Sequence, residues 1–224
     1  MIERPGGTAP HVVVEDVDHP ELSETDRHHL GRVRRLRVGD ALTVTDGVGR
    51  WRWCEFGDAL VTTTDVVFDP APTPRLTVGF ALVKGEKPEL VVQKLTEIGI
   101  DDIIPFVAER SVVKWDESKA ERNHERLIAV AREASMQSRR TWLPTVHPVR
   151  SFGELVAAGA VRADLGGAPI DRSCTSVLIG PEGGWSDGER AALPSVDLSE
   201  NVLRAETAAI VAAARMVALR GATR

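Results

Sequence analysis

Three prolines in seven residues, Asp69-Pro-Ala-Pro-Thr-Pro-Arg75, constrain this chain more than any other stretch of it. Proline locks φ and removes a backbone donor, so the segment stays extended and fits neither a helix interior nor a central strand. It marks a boundary between residues 1–72 and residues 73–224. The total of 224 residues exceeds the roughly 100–150 commonest for one domain, which leaves room for two. The two sides also differ in charge. Residues 1–72 hold 8 Lys+Arg against 13 Asp+Glu, and the remainder holds 20 of each.

Before the prolines, apolar residues come in short β-branched runs: His11–Val14, Ala41–Thr45, Trp51–Trp53 and Asp65–Phe68. Turn chemistry at Gly39-Asp40 and Asp46-Gly-Val-Gly49 separates them, the pattern of hairpins in a small antiparallel sheet or barrel. A helix capped by Thr25 or Asp26 and running to Arg35 interrupts it. Arg32, Arg34, Arg35 and Arg37 form the densest basic cluster, either a solvated surface or a phosphate-contacting patch.

After the prolines, strand and helix patterns alternate. Leu76–Leu82 reads as a buried strand and Pro88–Ile98 as a helix closed by Gly99. Asp102–Phe106 is a second strand. Ser118-Lys-Ala-Glu121 matches a capping box opening a long helix, and Ser151-Phe-Gly-Glu154 repeats the device. Val161–Leu165 and Ser176–Ile179 are strand candidates, and Ala208–Leu219 is an alanine-rich final helix. Such alternation predicts an α/β domain with a mainly parallel sheet.

Two segments carry the candidate chemistry. Leu178-Ile-Gly-Pro-Glu-Gly-Gly-Trp-Ser-Asp-Gly-Glu189 runs from a strand into a glycine-rich loop and then a capping box, Ser186 to Glu189. Loops at the carboxyl ends of α/β strands are where such sheets bind ligands. The loop lacks GxxxxGK[ST], and no GxGxxG follows a strand, so phosphate-loop and dinucleotide readings lose support. Val202-Leu-Arg-Ala-Glu-Thr-Ala-Ala209 is the second. Glu206 and Thr207 suit helix capping, but Arg204 calls for an anionic partner, either an internal carboxylate or a substrate group. Lys84, Lys87, Arg110, Lys114, Arg139 and Arg140 lie at element junctions and could line one basic edge suited to RNA phosphates.

Composition narrows the remaining classes. With 42% hydrophobic and 27% charged residues the chain sits in the soluble globular range, and no apolar run approaches the roughly 20 residues of a membrane span. Its start, MIERPGGTAPHVVVEDVDHPE, lacks the basic patch and apolar core of a secretory signal, so a cytoplasmic location is expected. Cys54 and Cys174 are too few for a disulfide framework, the six histidines form no HExxH, and no metal site is expected. A net charge of −5 argues against indiscriminate nucleic-acid binding.

Taken together, the chain resembles the RsmE-type 16S ribosomal RNA uridine N3-methyltransferases of the SPOUT superfamily. The likeness runs through His29-Leu-x-x-Val33 with Arg35, Gly39-Asp40, Asp46-Gly-x-Gly49, Lys84-Gly-Glu-Lys87, Gln93-Lys94, Glu97, Gly99 and Glu109-Arg110. It continues through Glu133-Ala134, Gln137-Ser138, Arg140 and Pro144 to Gly180-Pro-Glu-Gly-Gly184 and Leu203-Arg-x-Glu-Thr-Ala208. Arg34 stands where the family usually has leucine, Met136 where it often has glutamate, and Ser199 where a glycine is usual.

The resemblance implies a PUA-like β-barrel over residues 1–72 and, over 73–224, a SPOUT domain with a C-terminal trefoil knot. It implies S-adenosylmethionine as cofactor, a homodimer, and 16S ribosomal RNA of the small subunit as substrate. The cofactor residues carried over are Leu165, Gly166, Ile179, Gly180, Pro181, Glu182, Gly183, Gly184, Leu198, Leu203, Arg204, Ala205, Thr207 and Ala208. Glu206 is the candidate base for the uracil N3 proton and Arg204 the electrostatic stabiliser, with Glu182 the weaker candidate base. Arg32, Arg35, Lys84, Lys87, Arg110, Arg139 and Arg140 are the candidate RNA contacts. Two rivals remain open on these residues: a noncatalytic RNA-binding assembly factor on the same scaffold, and a SPOUT tRNA ribose methyltransferase.

Overall fold

A computed structural model describes residues 8–83, 87–113 and 115–221. The chain divides into two compact units: residues up to Ala71 with Arg132–Leu143, and Pro72–Ala131 with Pro144 onward. The chain therefore returns to its first unit once after the proline run.

In the first unit, β1 (His11–Val13), β2 (Ala41–Thr45), β3 (Arg50–Glu55) and β4 (Val61–Thr62) pair in that order, and β5 (Val67–Phe68) also pairs with β3. β1 runs parallel to β2, and the other pairings are antiparallel. Val12, Val14, Val17, Leu30, Leu42, Val44 and Cys54 form the core, with Met136 packed against it. The Met136 departure is thus an apolar residue at an apolar contact.

The expected helix here differs from the one observed. Ser23, not Thr25 or Asp26, is the cap: its hydroxyl accepts from the Asp26 amide at 3.0 Å and opens α1 (Glu24–His28). Helix α1 passes into a π-helical turn, His29–Val33, and Arg35 adopts a φ of 57°, outside any helix. The run through Arg35 is broken because the apolar face ends at Leu30 and nothing buries the arginines that follow.

The second unit is built on a seven-stranded, wholly parallel sheet. Its main path runs β12 (Ser195–Asp197), β10 (Val161–Pro169), β11 (Ser176–Ile179), β6 (Thr77–Ala81), β7 (Asp102–Val107), β8 (Thr145–Val146). β9 (Arg150–Ser151) pairs with β7. Period-two alternation serves two cores. Val78, Phe80, Val177 and Ile179 join α2 (Lys87–Ile98) and α6 (Ala205–Gly221) on one face, with Ala209, Ala212, Ala213 and Met216 fully packed. Ala81, Phe106 and Leu178 join Leu155 of α4 (Phe152–Ala157), Trp185 and Leu193 in the other core. The small alanine face lets α6 lie close to the sheet.

Local capping is mostly as the spacing predicts. Ser151 with Glu154 caps α4, and Ser186 with Glu189 caps α5 (Asp187–Ala192), each reciprocally. The long helix α3 (Glu117–Ser138) differs, because Asp116 rather than Ser118 accepts from the Lys119 amide at 2.9 Å. An acidic cap two residues earlier satisfies the orphan donor, and the box at Ser118 is not used. No helix of the described residues is long and apolar enough to cross a membrane.

Candidate active site

Parallel strands send their carboxyl ends to one edge of the sheet, and there the chain builds a cleft. β10 ends its first register with β12 at Ala163 and resumes it at Ala168, leaving Asp164–Gly167 as an irregularity between the two. The glycine loop follows β11, and Leu198–Arg204 follow β12 into α6. Lys87 opens α2 beyond β6. The cleft between these segments has a volume of about 610 Å³, within the roughly 300–1,000 Å³ of small-molecule sites.

Trp185 is the floor. It is 3% exposed, stacks on Phe106 with centroids 6.1 Å apart, tilts against Phe152, and donates its indole N–H to the Ala163 carbonyl at 2.8 Å. Gly180 lies so close to the ring that a Cβ there would sit 2.7 Å from Trp185 Cε2. Glycine is required at 180 for space, and at 184 for a φ of +71°. That second glycine closes the turn, its amide donating to the Pro181 carbonyl at 2.8 Å. Buried Glu189 completes the support: one carboxylate oxygen accepts from the Ser186 amide at 2.9 Å and the other from the Glu109 amide at 2.9 Å. Arg110 is thereby brought beside Gly183, where a Cβ would meet Arg110 Cβ at 3.3 Å.

Charge is concentrated at the cleft. Lys87 Nζ lies 2.7 Å from Glu182 Oε1 and 3.6 Å from Glu206 Oε2. The Glu182 hydrogen bond is the main reason the lysine's pKa is raised above its ordinary value. Glu206 Oε2 is buried and has no hydrogen-bond partner among the described residues. Asp164 is held between Arg162 and Arg190. Asp197 accepts from the Ser199 amide at 3.0 Å and the Gly166 amide at 3.1 Å, bonds that hold its carboxyl below the usual range. Ser199 fits that turn, since its hydroxyl accepts in turn from the Asn201 amide at 3.2 Å. Arg204 is exposed, lines the cleft, and its side chain makes no hydrogen bond or ion pair with any described residue.

Of the residues singled out by sequence, Leu165, Ile179, Gly180, Pro181, Glu182 and Gly184 line one side of the cleft. Leu198, Leu203, Arg204, Ala205 and Ala208 line the other. Gly166, Gly183 and Thr207 do not face it, although each adjoins a residue that does. Glu206 reaches it through Lys87. Missed by sequence were Ala163, Asp164, Trp185, Asp197, Asn201 and Val202. The adjacent Gly-Gly-Trp was a signal for Trp185, whereas nothing local distinguishes Asp164 from any surface acid.

The candidate basic residues are divided between the two units. Arg32 and Arg35 are exposed in the first unit, which also holds Arg139, donating to the Ala9 carbonyl at 3.1 Å, and Arg140, donating to the Trp142 carbonyl at 2.9 Å. Lys87 and Arg110 belong to the second unit, beside the glycine loop. Lys84 and Lys114 lie outside the described residues. No group of three or more His, Cys, Asp or Glu among the described residues is arranged to hold a metal ion.

Comparison with known proteins bears on this geometry. Residues 69–217 match the RNA methyltransferase domain family, and residues 22–59 match the RNA methyltransferase PUA domain family. The ribosomal RNA small subunit methyltransferase E of Mycobacterium tuberculosis is 35% identical over 213 residues, covering 82% of this chain and 80% of that protein. A Legionella pneumophila methyltransferase structure, determined with bound S-adenosylmethionine, superimposes with a TM-score of 0.83 at 24% identity, covering 95% of this chain and 98% of that one. A probable rRNA-methyltransferase from Porphyromonas gingivalis superimposes with a TM-score of 0.74 at 25% identity, covering 96% of this chain and 100% of that one.

Proposed function

The chain belongs to the ribosomal RNA small subunit methyltransferase E family, and from that premise we propose that it methylates N3 of a uridine in 16S ribosomal RNA with S-adenosylmethionine. The observation that carries the reading is the cleft at the carboxyl ends of β10, β11 and β12, with a buried carboxylate oxygen of Glu206 at its edge that is ion-paired to Lys87 and accepts no hydrogen bond from any described residue. The proposal includes action as a homodimer in the cytoplasm, and a C-terminal trefoil knot. The strand order β12-β10-β11, in which the chain passes back beyond β10 after β11, supports the knot.

The residues present fit the cofactor. Leu165, Ile179, Leu198, Leu203 and Ala208 offer an apolar lining for a flat base. The glycine loop presents backbone rather than side chain, and a Cβ at Gly184 would meet open space. When bound, S-adenosylmethionine supplies an electrophilic methyl group on a sulfur that departs neutral. No acid is then needed at the leaving group, and orientation dominates.

The nucleophile needs more help, because uracil N3 carries a proton at neutral pH. Glu206 accepts that proton at Oε2, and Arg204, whose side chain has no partner among the described residues, holds negative charge on the substrate. Arg32 and Arg35 of the residue 1–72 domain dock structured RNA through phosphates, with Arg110, Arg139, Arg140 and Lys84 as further contacts, so binding weakens steeply with salt.

Glu206→Gln tests the assignment. Turnover on small subunits lacking the modification should fall about 10²- to 10⁴-fold, with S-adenosylmethionine affinity by calorimetry unchanged. Full turnover with unchanged affinity would remove Glu206 as base. Mass spectrometry of 16S RNA from a deletion strain separates base from ribose methylation.

A further inference from the structure

Lys87 was expected to contact RNA phosphate, but its surroundings point elsewhere. Its side chain is 33% exposed, lines the cleft, and lies between two carboxylates that arrive from distant segments. Glu182, on the glycine loop, is 56% exposed and takes the short contact at 2.7 Å. Glu206, in the first turn of α6, is 15% exposed, and its Oε2 pairs with the ammonium at 3.6 Å. A phosphate-binding lysine would be turned outward and unpaired. This one is hydrogen-bonded to Glu182 at 2.7 Å and also lies 3.6 Å from the carboxylate proposed to take the proton.

We propose that Lys87 is a catalytic residue: its ammonium pairs with the negative charge that the uracil ring acquires as Glu206 removes the N3 proton, while Glu182 holds it in position. This rests on the methyl-transfer reading above. In the step, the N3–H bond breaks and its proton forms an O–H bond at Glu206 Oε2. The electron pair left on N3 forms the N–CH₃ bond, and the methyl–sulfur bond breaks with its pair retained on sulfur as a neutral thioether. Glu206 later gives the proton to water.

The charge logic follows from that transfer. Before it, Lys87 faces two carboxylates. After it, Glu206 is neutral and the lost charge has moved onto the ring beside it, so an ammonium within 4 Å of Oε2 pairs with either location. The ammonium favours the transition state over the bound substrate in so far as it pairs more closely with the ring charge than with the Glu206 carboxylate it faced before.

The test uses the full chain with small subunits reconstituted from unmodified 16S transcript. For Lys87→Gln we expect kcat at saturating RNA to fall about 100-fold, comparable with loss of one such stabilising donor. The S-adenosylmethionine Kd and the RNA KM should stay within about twofold, and Lys87→Arg should retain most of kcat by keeping the charge.

Transcript made with 5-fluorouridine, whose N3–H is more acidic, should restore most of the Lys87→Gln loss. A raised RNA KM with a shallower salt dependence and unchanged kcat would make Lys87 a phosphate contact and overturn the proposal. A kcat loss that 5-fluorouridine does not repair would overturn it as well. If Lys87→Gln loses cofactor binding, Glu182→Gln replaces it, with a smaller kcat loss and the same repair expected, and an unchanged kcat refuting. Failure of the wild-type chain to methylate would instead refute the underlying reading.

Discussion

Replacing Gly180 by alanine separates steric from conformational demands in the glycine loop. The added Cβ would lie 2.7 Å from Trp185 Cε2, 2.9 Å from Nε1 and 3.1 Å from Cζ2. Carbon atoms in good contact sit about 3.5–4.0 Å apart, so the indole must withdraw by about 1 Å. It has nowhere to go, since Phe106 and Phe152 pack against it and its N–H is committed to the Ala163 carbonyl. Overpacking a filled core costs about 1–3 kcal/mol, and loss of the indole hydrogen bond about 0.5–1.5 more. The expected destabilisation is therefore about 1.5–4.5 kcal/mol, read from urea unfolding by circular dichroism. Because Gly180 and Trp185 both line the cleft, S-adenosylmethionine affinity by calorimetry should also fall at least about tenfold, or 1.4 kcal/mol. Gly184→Ala is the control. Its Cβ meets nothing within 4 Å, leaving only the left-handed backbone cost of about 1–2 kcal/mol at φ +71°. If Gly180→Ala is as stable as the parent, or is less damaging than Gly184→Ala, the close-approach argument is wrong.

Two further predictions concern stability. His11 is buried with Nδ1 2.7 Å from Thr43 Oγ1 and Nε2 3.2 Å from the Arg140 carbonyl, and burial lowers its pKa from 6.5 to about 4 despite that carbonyl. The unfolded chain binds the proton first as pH falls, so the stabilisation is complete above pH 6.5 and is lost progressively toward pH 4. Between pH 7.5 and 5 the parent should lose about 2 kcal/mol relative to His11→Gln in urea unfolding, and parallel profiles would refute this. Arg220 ties the end of α6 to Asp101, 3% exposed, and donates to the Gly99 carbonyl at 2.8 Å. Arg220→Met removes the guanidinium bonded to that buried carboxylate, costing about 3 kcal/mol, and Arg220→Met with Asp101→Asn should recover most of it. An unchanged midpoint for the single variant would show that the pair is not needed.

What the amino-acid order determined by itself is what short-range chemistry controls. A capping box joins residues three apart, so Ser151 with Glu154 and Ser186 with Glu189 were legible, as were the strand runs and the glycine loop after β11. Where two nearby groups compete for one amide, spacing alone chose wrongly: Asp116 displaced Ser118, and Ser23 displaced Thr25 and Asp26. Only the tertiary structure decided which distant groups meet. The return of Arg132–Leu143 to the first unit, the indole beneath Gly180, and Lys87 against a glutamate 95 residues away have no local signature. Their partners are selected by strand order and by the packing of α6 on the sheet. Contacts of that kind depend on the whole core closing at once, whereas a cap or a turn needs only its own few residues.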